Sequence, residues 1–187
     1  MPSPVLTLAA AAQAGLRKDQ VYALVESGEL EKIGRGVFVD PDRIDPAWAS
    51  LAGATVLKPD ATLCLTSALV HHDLSDAIPL ATDIALPRGA RHPAGFEHVN
   101  WHSFDPATFE LDRTFIEKSG LALAIYSAER TLIDCFRLAH QEGTDRAHEA
   151  LRRWVRQRGN QPSSLLELAT SFPKAKSRIR RALEVLL

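Results

Sequence analysis

The run Leu8-Ala-Ala-Ala-Ala-Gln-Ala-Gly15-Leu16, followed by Arg17-Lys18-Asp19-Gln20-Val21-Tyr22 and then by Leu30-Glu-Lys-Ile-Gly34-Arg35-Gly36-Val37-Phe38-Val39, decides how this chain is read. Its first part has the alanine-rich composition of a short, closely packed helix, and Gly15 can take φ > 0 where the chain must turn. Leu16 plugs the turn. From residue 17 to residue 27 the apolar side chains Val21, Leu24 and Val25 fall at i, i+3 and i+4, one buried stripe, and Gly28 stands where a helix ends. Two β-prone runs, residues 30–33 and 37–39, flank Gly34-Arg35-Gly36, whose glycines permit a tight hairpin. Helix, turn, helix, hairpin is the order of a winged helix-turn-helix, with a second helix shaped for a DNA major groove and a hairpin that touches the flanking backbone.

Beyond the hairpin, residues 40–46 hold two prolines and three aspartates, which disfavour helix and central strand alike, so residues 41–47 read as a linker. The expected organisation is therefore a winged helix-turn-helix over 1–40 and a second domain over 48–187. In the latter, residues 48–57 read as a helix, Pro59-Asp60 as a break, and Thr66 or Ser67 as the cap of a short helix through His72. Residues 83–86, 98–102, 115–117 and 121–126 read as strands of a small sheet. Ser127 caps a helix to about residue 140, with Ala128, Leu132, Cys135, Phe136 and Ala139 on the face expected to pack on that sheet. Thr144 reads as the cap of another, carrying Ala147, Ala150, Leu151, Trp154 and Val155 on one face until Gly159. Two further helices, over 162–172 and 174–187, are separated by Pro173. The fold class expected is α+β: an N-terminal winged helix-turn-helix, then a mixed α/β domain ending in a helical, basic segment.

The 187 residues are 45% hydrophobic, enough to bury a core, and carry a formal net charge of −1. That sum hides an asymmetry: net −1 over residues 1–40, −6 over 41–144 and +6 over 145–187. A chain of this balance does not coat nucleic acid indiscriminately. Cys64 and Cys135 have no paired spacing and read as buried thiols. The apolar run near the start imitates a signal-peptide core, but Met1-Pro-Ser-Pro lacks a basic leader, and no stretch is long and apolar enough for a membrane span. A cytoplasmic protein is expected, with no membrane partner.

On the helical wheel, the side opposite Val21, Leu24 and Val25 holds Asp19, Ala23 and Glu26, which cannot bind phosphate. DNA contact is therefore expected from Arg17, Lys18, Gln20 and Tyr22 at the helix start and from Lys32 and Arg35 on the hairpin. Lys can donate to guanine and Gln can pair with adenine. The same face, with its acids, also suits a docking module that never touches DNA. A second surface, of which Arg152, Arg153, Arg156, Lys176 and Arg180 are representative, suits an acidic partner or phosphates, and few acids are interleaved with it. The histidines show no metal-ligand or nucleophile spacing, so no metal, cofactor or catalytic residue is expected. Arg130 and Asp134, at i and i+4, read as a structural pair, with Glu129 complementing the helix dipole.

Gly28-x-Leu30, Ile33-Gly-Arg-Gly-Val-Phe38, Leu65-Thr-Ser-Ala-Leu69 with a following His, Pro87-Arg88-Gly89 and Ser127-Ala-Glu-Arg-Thr-Leu-Ile-Asp134 together resemble the AbiEi family of antitoxins, over about residues 5 to 140. The resemblance implies a winged helix that represses the toxin-antitoxin operon from its own promoter. It also implies a domain behind it that counteracts a nucleotidyltransferase-like toxin, directly or indirectly, as type IV systems need no stable complex. Carried over, DNA contact falls on Lys18, Gln20, Tyr22, Lys32 and Arg35, and the middle and C-terminal helices take the antitoxin role. A dimer on a palindrome and a monomer on repeated half-sites are equally compatible with these residues.

Overall fold

The computed structural model describes residues 3–186, which form a mixed α+β structure with two sheets. The chain divides into two compact units. One comprises Met1–Thr62, Leu80–Ser103 and Phe115–Ala124, the other Leu63–Pro79, Phe104–Thr114 and Ile125–Leu187. Residues 41–47, expected as a linker, lie inside the first unit.

That unit opens with β1 (Val5–Thr7), α1 (Leu8–Gln13), α2 (Lys18–Glu26), β2 (Glu31–Gly34) and β3 (Val37–Val39). Thr7 ends the strand and starts the helix: its hydroxyl accepts the Ala10 N–H at 3.1 Å, a hydrogen-bonded N-cap. Between the helices Gly15 adopts φ +81°, and the Leu16 N–H closes on the Ala11 carbonyl at 2.9 Å. The hairpin turns through Gly36 at φ +71°. The sheet order is β1-β3-β2, antiparallel throughout, with Leu6 and Lys32 both in register with Phe38. Leu6, Ala11, Val21, Leu30 and Phe38 form the core beneath the two helices, and Leu16, Tyr22, Leu24 and Val25 pack against it half-buried.

The helix expected over 48–57 begins two residues earlier, as α3 (Pro46–Leu57), capped by Asp45, whose carboxylate accepts the Ala47 N–H at 2.9 Å. Pro46 is a helix start rather than a breaker, because the first helical N–H has no intrahelical partner to lose. This helix packs on β1, β2 and β3. Its Gly53 is the point of closest approach: a Cβ there would collide with Ile33 and sit 3.2 Å from Val37 Cγ1.

The remaining strands are β4 (Thr62–Leu63), β5 (Thr82–Pro87), β6 (Val99–Phe104), β7 (Arg113–Lys118) and β8 (Leu121–Tyr126), ordered β6-β5-β4-β8-β7. The second unit holds α4 (Leu65–His71), α5 (Pro106–Phe109), α6 (Ala128–Arg137), α7 (Ala139–Glu142), α8 (Thr144–Arg156), α9 (Pro162–Leu168), a 3-10 turn (Ala169–Ser171) and α10 (Pro173–Leu186). Ser127 caps α6 as expected, accepting the Arg130 N–H at 3.0 Å. The helix expected to run to residue 140 breaks at Leu138, and its principal neighbours are α4, α8 and α10 rather than the sheet. Neither Thr66 nor Ser67 caps α4, which starts at Leu65, and Thr144 is the first residue of α8 rather than its cap. Ala147, Ala150, Leu151 and Trp154 are buried on α8 as the periodicity requires. Both cysteines are buried and unbonded to each other. Among the described residues no helix is long and apolar enough to cross a membrane.

The hairpin's Gly34 is buried, and a Cβ on it would collide with the Phe96 ring, 2.8 Å from Cδ2. Phe96 is buried and meets Trp101 edge-on at 5.6 Å, so it has little room to withdraw. Gly34→Ala is expected to cost about 1–3 kcal/mol as overpacking. The check is a lower urea midpoint at unchanged slope.

Candidate nucleic-acid interface

The start of α2 is more occupied than its sequence suggests. Arg17 is extended, at φ −79° and ψ 157°, and folds its guanidinium back onto Asp19, with Nε to Oδ1 at 3.1 Å and Nη2 to Oδ2 at 3.0 Å. The Arg17 hydrogen bond holds the Asp19 carboxyl below its ordinary value. The Arg17 guanidinium is thereby paired with a neighbouring carboxylate, on a surface where the two side chains stay 72% and 69% exposed. Gln20 Oε1 accepts the Arg17 backbone N–H at 2.9 Å and so helps cap the helix, which takes from it the acceptor that reading adenine needs. Tyr22 is half-buried, its ring edge-on to Phe38 at 5.7 Å.

The other three predicted contacts are open to solvent. Lys18 is exposed, its Nζ 5.8 Å from the centre of the Tyr22 ring. Lys32 shares the Phe38 register and so stands on the sheet face that carries the core, at the edge strand, with its side chain exposed. Arg35 is exposed at the hairpin tip. Among the described residues Lys18, Lys32 and Arg35 have no ion-pair partner.

One element of this surface is not legible as part of it in the sequence. The loop after β5 returns to the hairpin: the Arg35 N–H donates to the Ala94 carbonyl at 3.0 Å, and Gly95 at φ +79° lies so close that a Cβ would sit 2.8 Å from the Arg35 nitrogen. The hairpin tip is therefore braced, its backbone donor already used, while the Arg35 side chain projects. The same loop carries exposed Arg91. Its Pro-Arg-Gly start marks a turn, but nothing in the spacing announces a partner sixty residues upstream.

The basic face of the second unit is more compensated than its composition implies. Glu149 serves both Arg152 and Arg153, each at 3.2 Å, and Arg153 also pairs with Asp76. These contacts raise Arg153 above its ordinary value and lower Asp76 and Glu149 below theirs. Lys176 donates to Thr170 Oγ1 at 2.8 Å. Arg156 and Arg180 are exposed and without an ion-pair partner among the described residues.

Three of the histidines make separate hydrogen bonds, and His71 meets His72 edge-on at 5.1 Å. His72 Nε2 meets the Tyr126 carbonyl at 2.8 Å, His102 Nε2 meets Asp83 Oδ1 at 3.1 Å beside Asn100, and His92 Nε2 meets Ser103 Oγ at 3.3 Å while stacking on Trp101. Among the described residues no group of three His, Cys, Asp or Glu side chains converges to hold a metal ion. Arg130 and Asp134 pair as expected, at 3.0 Å, and both are fully buried. Glu129 accepts the Trp154 indole N–H at 3.3 Å.

No family model matches this chain, and no curated protein matches it.

Proposed function

We propose that the first unit is a winged helix-turn-helix that binds double-stranded DNA through the start of α2 and the hairpin. On this reading the protein is a non-enzymatic, cytoplasmic repressor of the AbiEi antitoxin type, acting at its own promoter. Its second unit counteracts a nucleotidyltransferase-like toxin by contact or indirectly. The observation that supports the reading best is the strand–helix–turn–helix–hairpin order with Lys18, Lys32 and Arg35 exposed and uncompensated on it. The phosphate contribution then comes from the helix start and the hairpin, where such a fold meets the backbone.

A second reading, a protein-docking module, is favoured by exposed Asp19 and Glu26 on α2 and by the Arg17–Asp19 pair. An anisotropy titration of the full chain against its own upstream DNA and a scrambled duplex separates the two. Saturable preference for the upstream duplex supports the repressor; no binding to either, with a neighbouring gene product recovered in a pull-down, supports docking.

The Arg17–Asp19 pair supplies a prediction with the opposite sign to most substitutions. Asp19→Asn releases one guanidinium at the DNA-facing helix start, so binding is expected to tighten. One added phosphate contact steepens log K against log salt by about 0.9, roughly eightfold in affinity at 0.1 M salt. The docking reading expects no DNA effect.

A further inference from the structure

Helices α6, α7, α8 and α10 of the second unit line a half-open cavity of about 560 Å³. Its floor is apolar: Phe136 of α6, Ala147 of α8 and Ala182 of α10, all buried. Alanine at two of these three places is what leaves the space. Its rim is cationic, formed by Arg152, Arg178 and Arg181, and among the described residues no carboxylate lines it. Val185 extends the apolar surface outward, exposed to water over most of its area.

The three guanidiniums are not equivalent. Arg152 is shared with Glu149 at 3.2 Å, and Arg178 gives one N–H to the Phe136 carbonyl at 2.9 Å, which fixes it over the floor. Arg181 has no ion-pair partner among the described residues. An apolar hollow of this size with a few convergent polar groups is the usual form of a small-molecule site, for which volumes run from about 300 to 1,000 Å³. The one-sided charge of the rim selects the sign of the occupant.

We propose that this cavity binds one small anionic amphiphile, a medium-chain carboxylate. Its apolar chain lies on Phe136, Ala147 and Ala182, and its head group is held by Arg181 with Arg178. A bare anion leaves the floor wet, and a cationic amphiphile meets three like charges at the rim. The site is independent of the DNA reading, since every group in it belongs to the second unit.

The test is isothermal titration of the full chain with decanoate, decyltrimethylammonium and inorganic phosphate. Saturable binding of one decanoate per chain is expected, with the cationic amphiphile and phosphate each at least about tenfold weaker, a difference of about 1.4 kcal/mol. Arg181→Glu is expected to weaken decanoate by about tenfold or more, whereas Arg180→Glu, on the same helix but outside the cavity, leaves it within about twofold. Ala182→Phe, which fills the floor, is expected to abolish binding. Should that variant melt early by circular dichroism, the Arg181 and Arg180 pair decides alone, both being exposed positions. The site is overturned by no saturable binding of decanoate, by equal binding of decyltrimethylammonium or phosphate, or by equal losses in the two arginine variants.

Discussion

Replacing Arg130 by alanine is expected to destabilise the protein by about 3–5 kcal/mol, the effect of breaking a fully buried ion pair and taking the donor from two carbonyls. Arg130 and Asp134 are both fully buried and joined Nε to Oδ2 at 3.0 Å. The same guanidinium donates through Nη1 to the carbonyls of Thr108 at 2.6 Å and Leu111 at 2.7 Å, so it also satisfies backbone groups at the end of α5. Its planar face lies over Tyr126 at 4.4 Å and Phe172 at 4.7 Å. One side chain thus ties α6 to α5, to the end of β8 and to the segment before α10. Burial pushes the Asp134 carboxyl up, and the guanidiniums of Arg130 and Arg137 pull it down. With Arg130 gone, Asp134 keeps only Arg137, whose Nε and Nη2 lie 3.1 and 2.9 Å from Oδ1, and the two carbonyls lose a donor. Arg130→Lys is expected to recover only part of the loss, because an ammonium cannot serve three acceptors in the plane of a fork. Arg130→Ala combined with Asp134→Ala is expected to be less destabilised than the sum of the single variants, since no carboxylate is then left underpaired. Urea denaturation of the four proteins measures this; additive losses would falsify the coupling.

The i, i+4 spacing made that pair legible in the sequence, and nothing local made its burial legible. The carbonyls that bury it belong to residues about twenty positions earlier in the chain. The same contrast runs through the candidate interface. Helix α2 and the hairpin follow from apolar spacing and from glycines placed where φ is positive, both local properties. Arg17–Asp19 was not foreseeable from helical rules, which pair i with i+3 and i+4. It forms because Arg17 precedes the helix with extended backbone. Strand β1 is three residues long and merges into an alanine run, so periodicity had nothing to count, although Thr7 is a capping residue at the right place. Asp76 on Arg153 and Ala94 on Arg35 are long-range contacts that charge runs and turn signals do not encode. Thus the residue types of the candidate interface are legible in the sequence, but which of its charges remain available is not.

Availability is what fixes the larger functional prediction. Of the six side chains expected to meet DNA, Arg17 and Gln20 are engaged at the helix start and Tyr22 faces the core. On the proposed DNA-binding reading, the phosphate contribution therefore rests on Lys18, Lys32 and Arg35. Replacing Lys18 and Arg35 together by alanine removes two contacts, and each contributes about 0.9 to the slope of log K against log salt. The slope is expected to flatten by about 1.8, and affinity at 0.1 M salt to fall by roughly sixtyfold. Both side chains are exposed, so the folded state should be unaffected and the melting temperature unchanged within error. Arg180→Ala provides the complementary measurement, since it removes an exposed cation from α10 in the second unit. It should leave slope and affinity as they were. If Arg180→Ala flattens the slope while the Lys18 and Arg35 pair does not, DNA is held by the C-terminal helices and the hairpin is no wing. If no variant changes either quantity, the exposed acids of α2 become its dominant feature, and the first unit is better read as a surface for a protein.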